Sequence, residues 1–102
     1  MDYEYLAKLL KVLSDKNRLE IVDLLSCGPL CACDILEHFE FSQPTLSHHM
    51  KQLKQSGIVT SWKEGTNVMY ANNLEVIEQI VNLQNQIFVP HQNCVCKTNE
   101  EC

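Results

Sequence analysis

The sequence predicts a mainly α-helical fold completed by a small β-hairpin (α+β), with about five helices and two strands. Three observations predict it. Apolar residues recur at helical spacing on both sides of the chain's middle. A segment capped by Ser42, with Pro44 in its first turn, runs to Gly57. Two short runs rich in Val, Thr, Trp and Tyr then flank the turn-forming residues Glu64-Gly65-Thr66-Asn67.

The first helix is expected from about Tyr3 to Leu13, where Leu6, Leu9, Leu10 and Leu13 fall on one face. Ser14-Asp15 breaks it, and Asp15 can cap a second helix from about Asn17 to Leu25. The second helix is predicted to bury Leu19, Ile21, Val22 and Leu25, and Gly28-Pro29 stops it. A third helix spans about Ala32 to Phe39, with Ile35, Leu36 and Phe39 inward. The fourth starts after its Ser42 cap and ends at Gly57, the residue type favoured just past a helix end. Ile58–Lys63 and Val68–Ala71 read as paired strands. The last helix, about Leu74 to Phe88, carries Leu74, Val76, Ile77, Ile80, Val81, Leu83 and Ile87. That apolar face is too broad for one packing partner in a small domain, so a homodimer through this helix and the first is expected. Residues 1–89 thus read as one folded, dimerising domain, and residues 90–102 as a flexible cysteine-containing tail.

With 102 residues, 45% of them apolar, the chain has the size and composition of one soluble globular domain. No run approaches the ~18 apolar residues of a membrane-spanning helix, so no membrane is expected as a partner. Met1-Asp2-Tyr3-Glu4 has neither a basic n-region nor an apolar core, and a cytoplasmic location follows as the expectation. In that reducing compartment, clustered cysteines suggest metal or redox chemistry more than structural bridges.

A net charge of −5 argues at first against a nucleic-acid partner. The distribution of charge points the other way. From Phe41 to Lys63 there are three lysines, Lys51, Lys54 and Lys63, and no carboxylate, which makes this stretch +3 and the remainder −8. Set at 100° per residue with Leu46 inward, the fourth helix keeps Met50 and Leu53 inside. Gln43, Ser47 and Lys54 occupy one flank, and Pro44, His48, Lys51 and Gln55 point outward. Thr45, Gln52 and His49 lie on the other side, with His49 nearest the apolar seam. Such a face suits double-stranded DNA: Gln43, Thr45, Ser47 and His48 for base edges and Lys51 and Lys54 for phosphates, with Lys63 and Asn67 of the hairpin placed to reach the backbone or the minor groove. One amphipathic helix alone could simply be wet. The order helix, short helix, capped helix and hairpin is what favours a winged helix-turn-helix reader. His49 reads instead as a semi-buried packing and hydrogen-bonding residue.

Leu30-Cys31-Ala32-Cys33-Asp34 places two thiols at the entrance of the third helix. Two cysteines at i and i+2 in a regular helix point about 200° apart and cannot share one small ion. At a helix entrance the backbone is less committed, and the partial positive charge there stabilises thiolates, the metal-binding form. Drawing both sulfurs onto one ion is expected to distort the first turn and to pass strain across Glu40-Phe41 to the DNA-reading helix. The alternative is two small cysteines that merely fill a helix start.

Together these segments resemble the ArsR/SmtB family of metal-responsive repressors, and within it the arsenical-resistance repressors. Leu30-Cys31-Ala32-Cys33-Asp34 matches its L-C-x-C-D box. Ser42-Gln43-Pro44-Thr45-Leu46-Ser47-His48-His49-Met50 matches its S-Q-x-T-x-S-x-H-hydrophobic helix, and Arg18 and Gly57-Ile58-Val59 also fit. The resemblance covers about residues 3 to 88. It implies a dimer that represses its own resistance operon and leaves the operator when an inducer binds, here As(III) or Sb(III) on Cys31 and Cys33.

Trivalent arsenic and antimony prefer three sulfurs, and one version of the family box supplies a third cysteine where this chain has Leu36. Candidates for the third thiolate are Cys27, Cys94, Cys96, Cys102 or a small-molecule thiol, and a two-sulfur site is the remaining option. The tail Cys94-Val95-Cys96 with Cys102 can equally be a three-thiol site of its own or a loose end whose thiols bind nothing. A zinc site on the last helix is disfavoured, since Asn72, Glu75, Glu78 and Gln79 come without a helical histidine.

Cadmium, lead or zinc sensing on the same scaffold is the nearest competing function. A thiol-redox protein using Cys31 and Cys33 as an oxidisable pair is a second. Catalysis is not expected, and no catalytic cofactor with it: there is no C-x-x-C on a βαβ pattern and no Gly-rich phosphate loop. Nor is there a nucleophile set beside a base and an orienting group.

Overall fold

In the computed structural model, which describes residues 2–90, the first four helices each begin at a side chain that accepts from their orphan N–H groups, whereas Asn73 before the fifth makes no such bond. Asp2 accepts from the Tyr5 N–H at 2.9 Å and opens α1 (Tyr3–Leu13). Asp15 accepts from Asn17 at 2.8 Å and Arg18 at 3.2 Å and opens α2 (Lys16–Leu25). A turn through Gly28, whose φ of 136° excludes most side chains, leads into β1 (Leu30–Cys31). Cys31 then caps α3 (Ala32–Glu37), and Ser42 caps α4 (Gln43–Gln55). β2 (Val59–Glu64) and β3 (Asn67–Asn72) form the wing, and α5 (Leu74–Phe88) follows.

The core is one cluster drawn from every helix. Leu6 and Leu9 of α1, Ile21 and Leu25 of α2, and Ile35 of α3 meet Leu46, Met50 and Leu53 of α4. Ile58 and Val59 close it at the base of the wing, and Ile80 seals it from α5. The residues predicted to face inward on α4 do so. Full burial of each such side chain contributes about 1.5–3 kcal/mol, which fixes α4 against the body and turns its polar side outward.

The structure corrects the sequence reading in four places. The predicted two-stranded hairpin belongs to a three-stranded antiparallel sheet of order β1-β3-β2, with Leu30 opposite Tyr70 and Cys31 opposite Met69. A two-residue strand leaves no period to detect, so β1 is invisible to pattern alone. α3 stops at Glu37 rather than Phe39, because Phe39 turns to stack on Phe41, their rings 4.6 Å apart. The wing strands run Val59–Glu64 rather than Ile58–Lys63, and Asn67–Asn72 rather than Val68–Ala71. Leu19, expected inside, is 52% exposed. It lies between the buried Ile21 and the half-buried Arg18 on a helix with a narrower apolar stripe than its composition suggests.

On α5 only Ile80 is buried, while Leu74, Val81 and Phe88 are 71%, 50% and 72% exposed. Among the described residues no helix is long and apolar enough to cross a membrane. The tail thiols Cys94, Cys96 and Cys102 lie outside the described residues.

Candidate thiol site and nucleic-acid interface

Cys31 is 7% exposed and stands outside the helix, in extended backbone with φ −77° and ψ 160°. Its Sγ accepts the Asp34 N–H at 3.3 Å, so the thiol is itself the N-cap of α3. Cys33, exposed in the first turn, meets it: the two sulfurs are joined as a disulfide, with the Cα atoms 5.4 Å apart. That separation is within the ordinary range for a bridge. The expected distortion of the first turn is therefore not needed to bring the sulfurs together. Cys31 leaves a strand rather than a helix, and the 100° rule that would separate the pair does not apply to it.

Sulfur and carboxylate atoms of Cys31, Cys33 and Asp34 all lie within 4.8 Å of one another, the only such trio of potential metal ligands among the described residues. Cys27, a free and exposed thiol just past α2, is not part of it. The pair forms one wall of a cavity of about 300 Å³. Leu36 lines it too, as do Gln43, Leu46, Ser47 and Met50 of α4 and Val68 and Tyr70 of β3. The cysteine pair thus faces α4 and the wing at once.

Gln43, Thr45, Ser47, His48, Lys51 and Lys54 are all exposed on α4, and Lys63 is exposed on β2. Ser42, as cap, holds Thr45 through both its N–H (3.4 Å) and its hydroxyl (3.2 Å), which fixes the first turn. Lys51, Lys54 and Lys63 line a single groove between α4 and the wing together with Ser61 and Trp62. The three cations singled out by charge counting are thus brought to one surface, as a phosphate-binding wall requires.

Sequence reasoning missed the support beneath this helix. Arg18 donates from Nε to His49 Nδ1 at 3.2 Å and from a terminal nitrogen to the Val12 carbonyl at 3.1 Å. One guanidinium therefore ties α1, α2 and α4 together. His49 is 7% exposed, as its position beside the apolar seam suggested, and its ring lies 5.6 Å from that of Phe41. Burial holds its pKa below the usual histidine value, and the Arg18 and His48 charges add to this against the opposing pull of Asp15. Burial would raise the Asp15 pKa, but the N–H groups of Arg18 and Asn17 and the nearby His49 and Arg18 charges leave it lowered. The available signal was Arg18 itself, a half-buried cation one helical turn before the fully buried Ile21.

The family description "bacterial regulatory protein, arsR family" matches residues 15–61, the stretch from the α2 cap into the wing. The arsenical resistance operon repressor of Staphylococcus aureus is 55% identical over 97 residues, covering 95% of this chain and 93% of that protein. The repressor of the same name from Staphylococcus xylosus is 56% identical over the same shares. In three dimensions an ArsR-like transcriptional regulator from Rhodococcus sp. RHA1 superposes with a TM-score of 0.73 at 25% identity, covering 83% of this chain and 80% of that one. A winged helix-turn-helix with a basic reading face, aligned almost end to end with such repressors, leaves one assignment: the chain belongs to the ArsR family of bacterial regulatory proteins.

Proposed function

We propose that this chain is a cytoplasmic, arsenite- or antimonite-responsive repressor of an arsenical-resistance operon. It binds operator DNA as a homodimer and leaves it when the ion engages the Cys31 and Cys33 thiolates. The observation that carries this reading is the position of the thiol pair, in one cavity with α4 and the wing. The near full-length similarity to arsenical resistance operon repressors supports the choice of ion.

The donor set fits a thiophilic trivalent ion in its reduced form. Two convergent sulfurs supply two of the three bonds. Leu36 offers no donor, and Asp34 offers a hard oxygen that such an ion does not favour. The third position falls to Cys27, to one of Cys94, Cys96 and Cys102 in the 90–102 tail, or to a small-molecule thiol.

Release follows from what Cys31 does in the absence of the ion. A sulfur bonded to an ion is a poorer acceptor for the Asp34 N–H, so α3 loses its cap. A lost cap costs about 1 kcal/mol of helix stability, and operator affinity falls to the extent that the DNA-bound form needs the capped turn. The path to α4 runs through Phe39, Phe41 and His49, whose rings stand 4.6 and 5.6 Å apart in sequence. Dimerisation covers the apolar side chains exposed on α1 and α5, Tyr3, Leu74, Val81 and Phe88 among them.

The disulfide contact favours a second reading, in which oxidation of the same pair is the signal. A gel-shift titration of the reduced protein on its own promoter separates the two. Arsenite and antimonite are expected to release DNA at lower concentration than cadmium, zinc or peroxide. Release by peroxide but not by arsenite would establish the redox reading instead.

A further inference from the structure

We infer that the α1 side of α4 is a second phosphate-binding flank, so that the reading helix lies in a cationic cradle with a wall for each DNA strand. The inference rests on the DNA-binding reading above and adds the residues Lys8 and Lys11 to it.

The described residues hold seven Lys and Arg side chains, and six of them line grooves on the two sides of α4. Lys51, Lys54 and Lys63 form the wing side. Lys11 and Arg18 line a groove of about 520 Å³ against His48 and Gln52 on the opposite side. Lys8 and Lys11 line an adjoining one against Gln52 and Gln55. The seventh, Lys16, faces Glu20 at 3.9 Å. In a chain of net charge −5, this placement is not what an even spread of cations over the surface gives.

The carboxylates leave the same region clear. Asp15 is the only one among the residues that line these grooves, and its Oδ1 already accepts two backbone N–H groups at the start of α2. Arg18 is held by His49 and the Val12 carbonyl. Lys8 and Lys11 are exposed, and among the described residues neither forms an ion pair. They are the unpaired cations of this flank.

The geometry matches a duplex. An α-helix with side chains is about 10–12 Å across and the major groove about 12 Å wide, so phosphates of opposite strands border opposite sides of an inserted helix. The wing lysines serve one border. Without Lys8 and Lys11 the one cation left lining the other border is Arg18, already held by His49 and the Val12 carbonyl.

The test uses the reduced full-length protein and two duplexes of equal length, its own promoter region and a scrambled sequence, with affinity followed by fluorescence anisotropy across a potassium chloride series. Lys8→Met and Lys11→Met are each expected to lower the slope of log affinity against log salt by about one per bound protomer, equally on both duplexes. Lys11→Arg should keep the wild-type slope. Lys51→Met serves as the reference for the wing wall. A wild-type slope in the Lys8→Met/Lys11→Met double variant, with a reduced slope in Lys51→Met, overturns the second flank and leaves the DNA-binding reading standing. Wild-type slopes in all variants overturn both. Far-UV circular dichroism confirms that these surface changes leave the fold intact.

Discussion

Cys31 combines a thiol, a helix cap and a strand residue, and substitutions can separate these roles. Cys31→Ser keeps an acceptor for the Asp34 N–H but removes the sulfur; it should bind operator normally and ignore arsenite in a gel shift. Cys31→Ala removes both, so it should lose about 1 kcal/mol in urea unfolding and bind operator more weakly than Cys31→Ser even without arsenite. At His49 the sign of the pH effect is fixed by burial. Its pKa is lowered in the folded state, so below about 6.5 the unfolded chain binds the proton more readily. The stability present above that pH is therefore lost as pH falls through the depressed value. Protonation also removes the acceptor that Arg18 uses. Thermal melts at pH 7.5 and 5.5 should show a fall in wild type that His49→Gln reduces; equal falls in both would assign the effect elsewhere. Asp15, also lowered, acts only in a more acid window, near and below its usual 3.8.

Among the elements, the wing is held at both ends. β3 pairs with β2 along six positions and with β1 at two, so the sheet edge carrying the thiol is continuous with the wing. Gly65, with φ 61°, makes the tight turn between its strands. Gly65→Val should cost about 1 kcal/mol or more in denaturant unfolding and weaken DNA binding, whereas Gly65→Asn should be milder because Asn tolerates that region. The helices were legible because Leu6/Leu9 and Leu46/Met50/Leu53 repeat at helical spacing and Asp15 and Ser42 announce their starts. β1 was not, since Leu30 and Cys31 are strand only by virtue of Tyr70 and Met69, about forty residues away. The candidate site divides the same way. The thiols and α4 lysines lie within motifs, but the Arg18–His49 bond joins residues on two helices with no shared period. The convergence of Cys31 with Cys33 depends on that unseen strand.

For the whole molecule, the proposed homodimer can be tested at the exposed apolar strip on α1 and α5. Val81→Lys places a charge in the middle of α5's uncovered face. The variant is expected to sediment as a monomer and to bind operator at least tenfold more weakly, while its circular dichroism stays that of wild type. A dimeric Val81→Lys would move the contact to another surface.

The two-sided clustering of cations has a consequence before any contact is made. An acidic protein with its positive charge gathered around one helix has a strong electric dipole, and a duplex approaching from any other direction is repelled. The molecule is therefore turned while still in solution, and the reading helix arrives at the groove first. Raising the salt should slow this capture as well as loosen the complex, so a repressor that is acidic overall uses its excess negative charge to discard the wrong encounters.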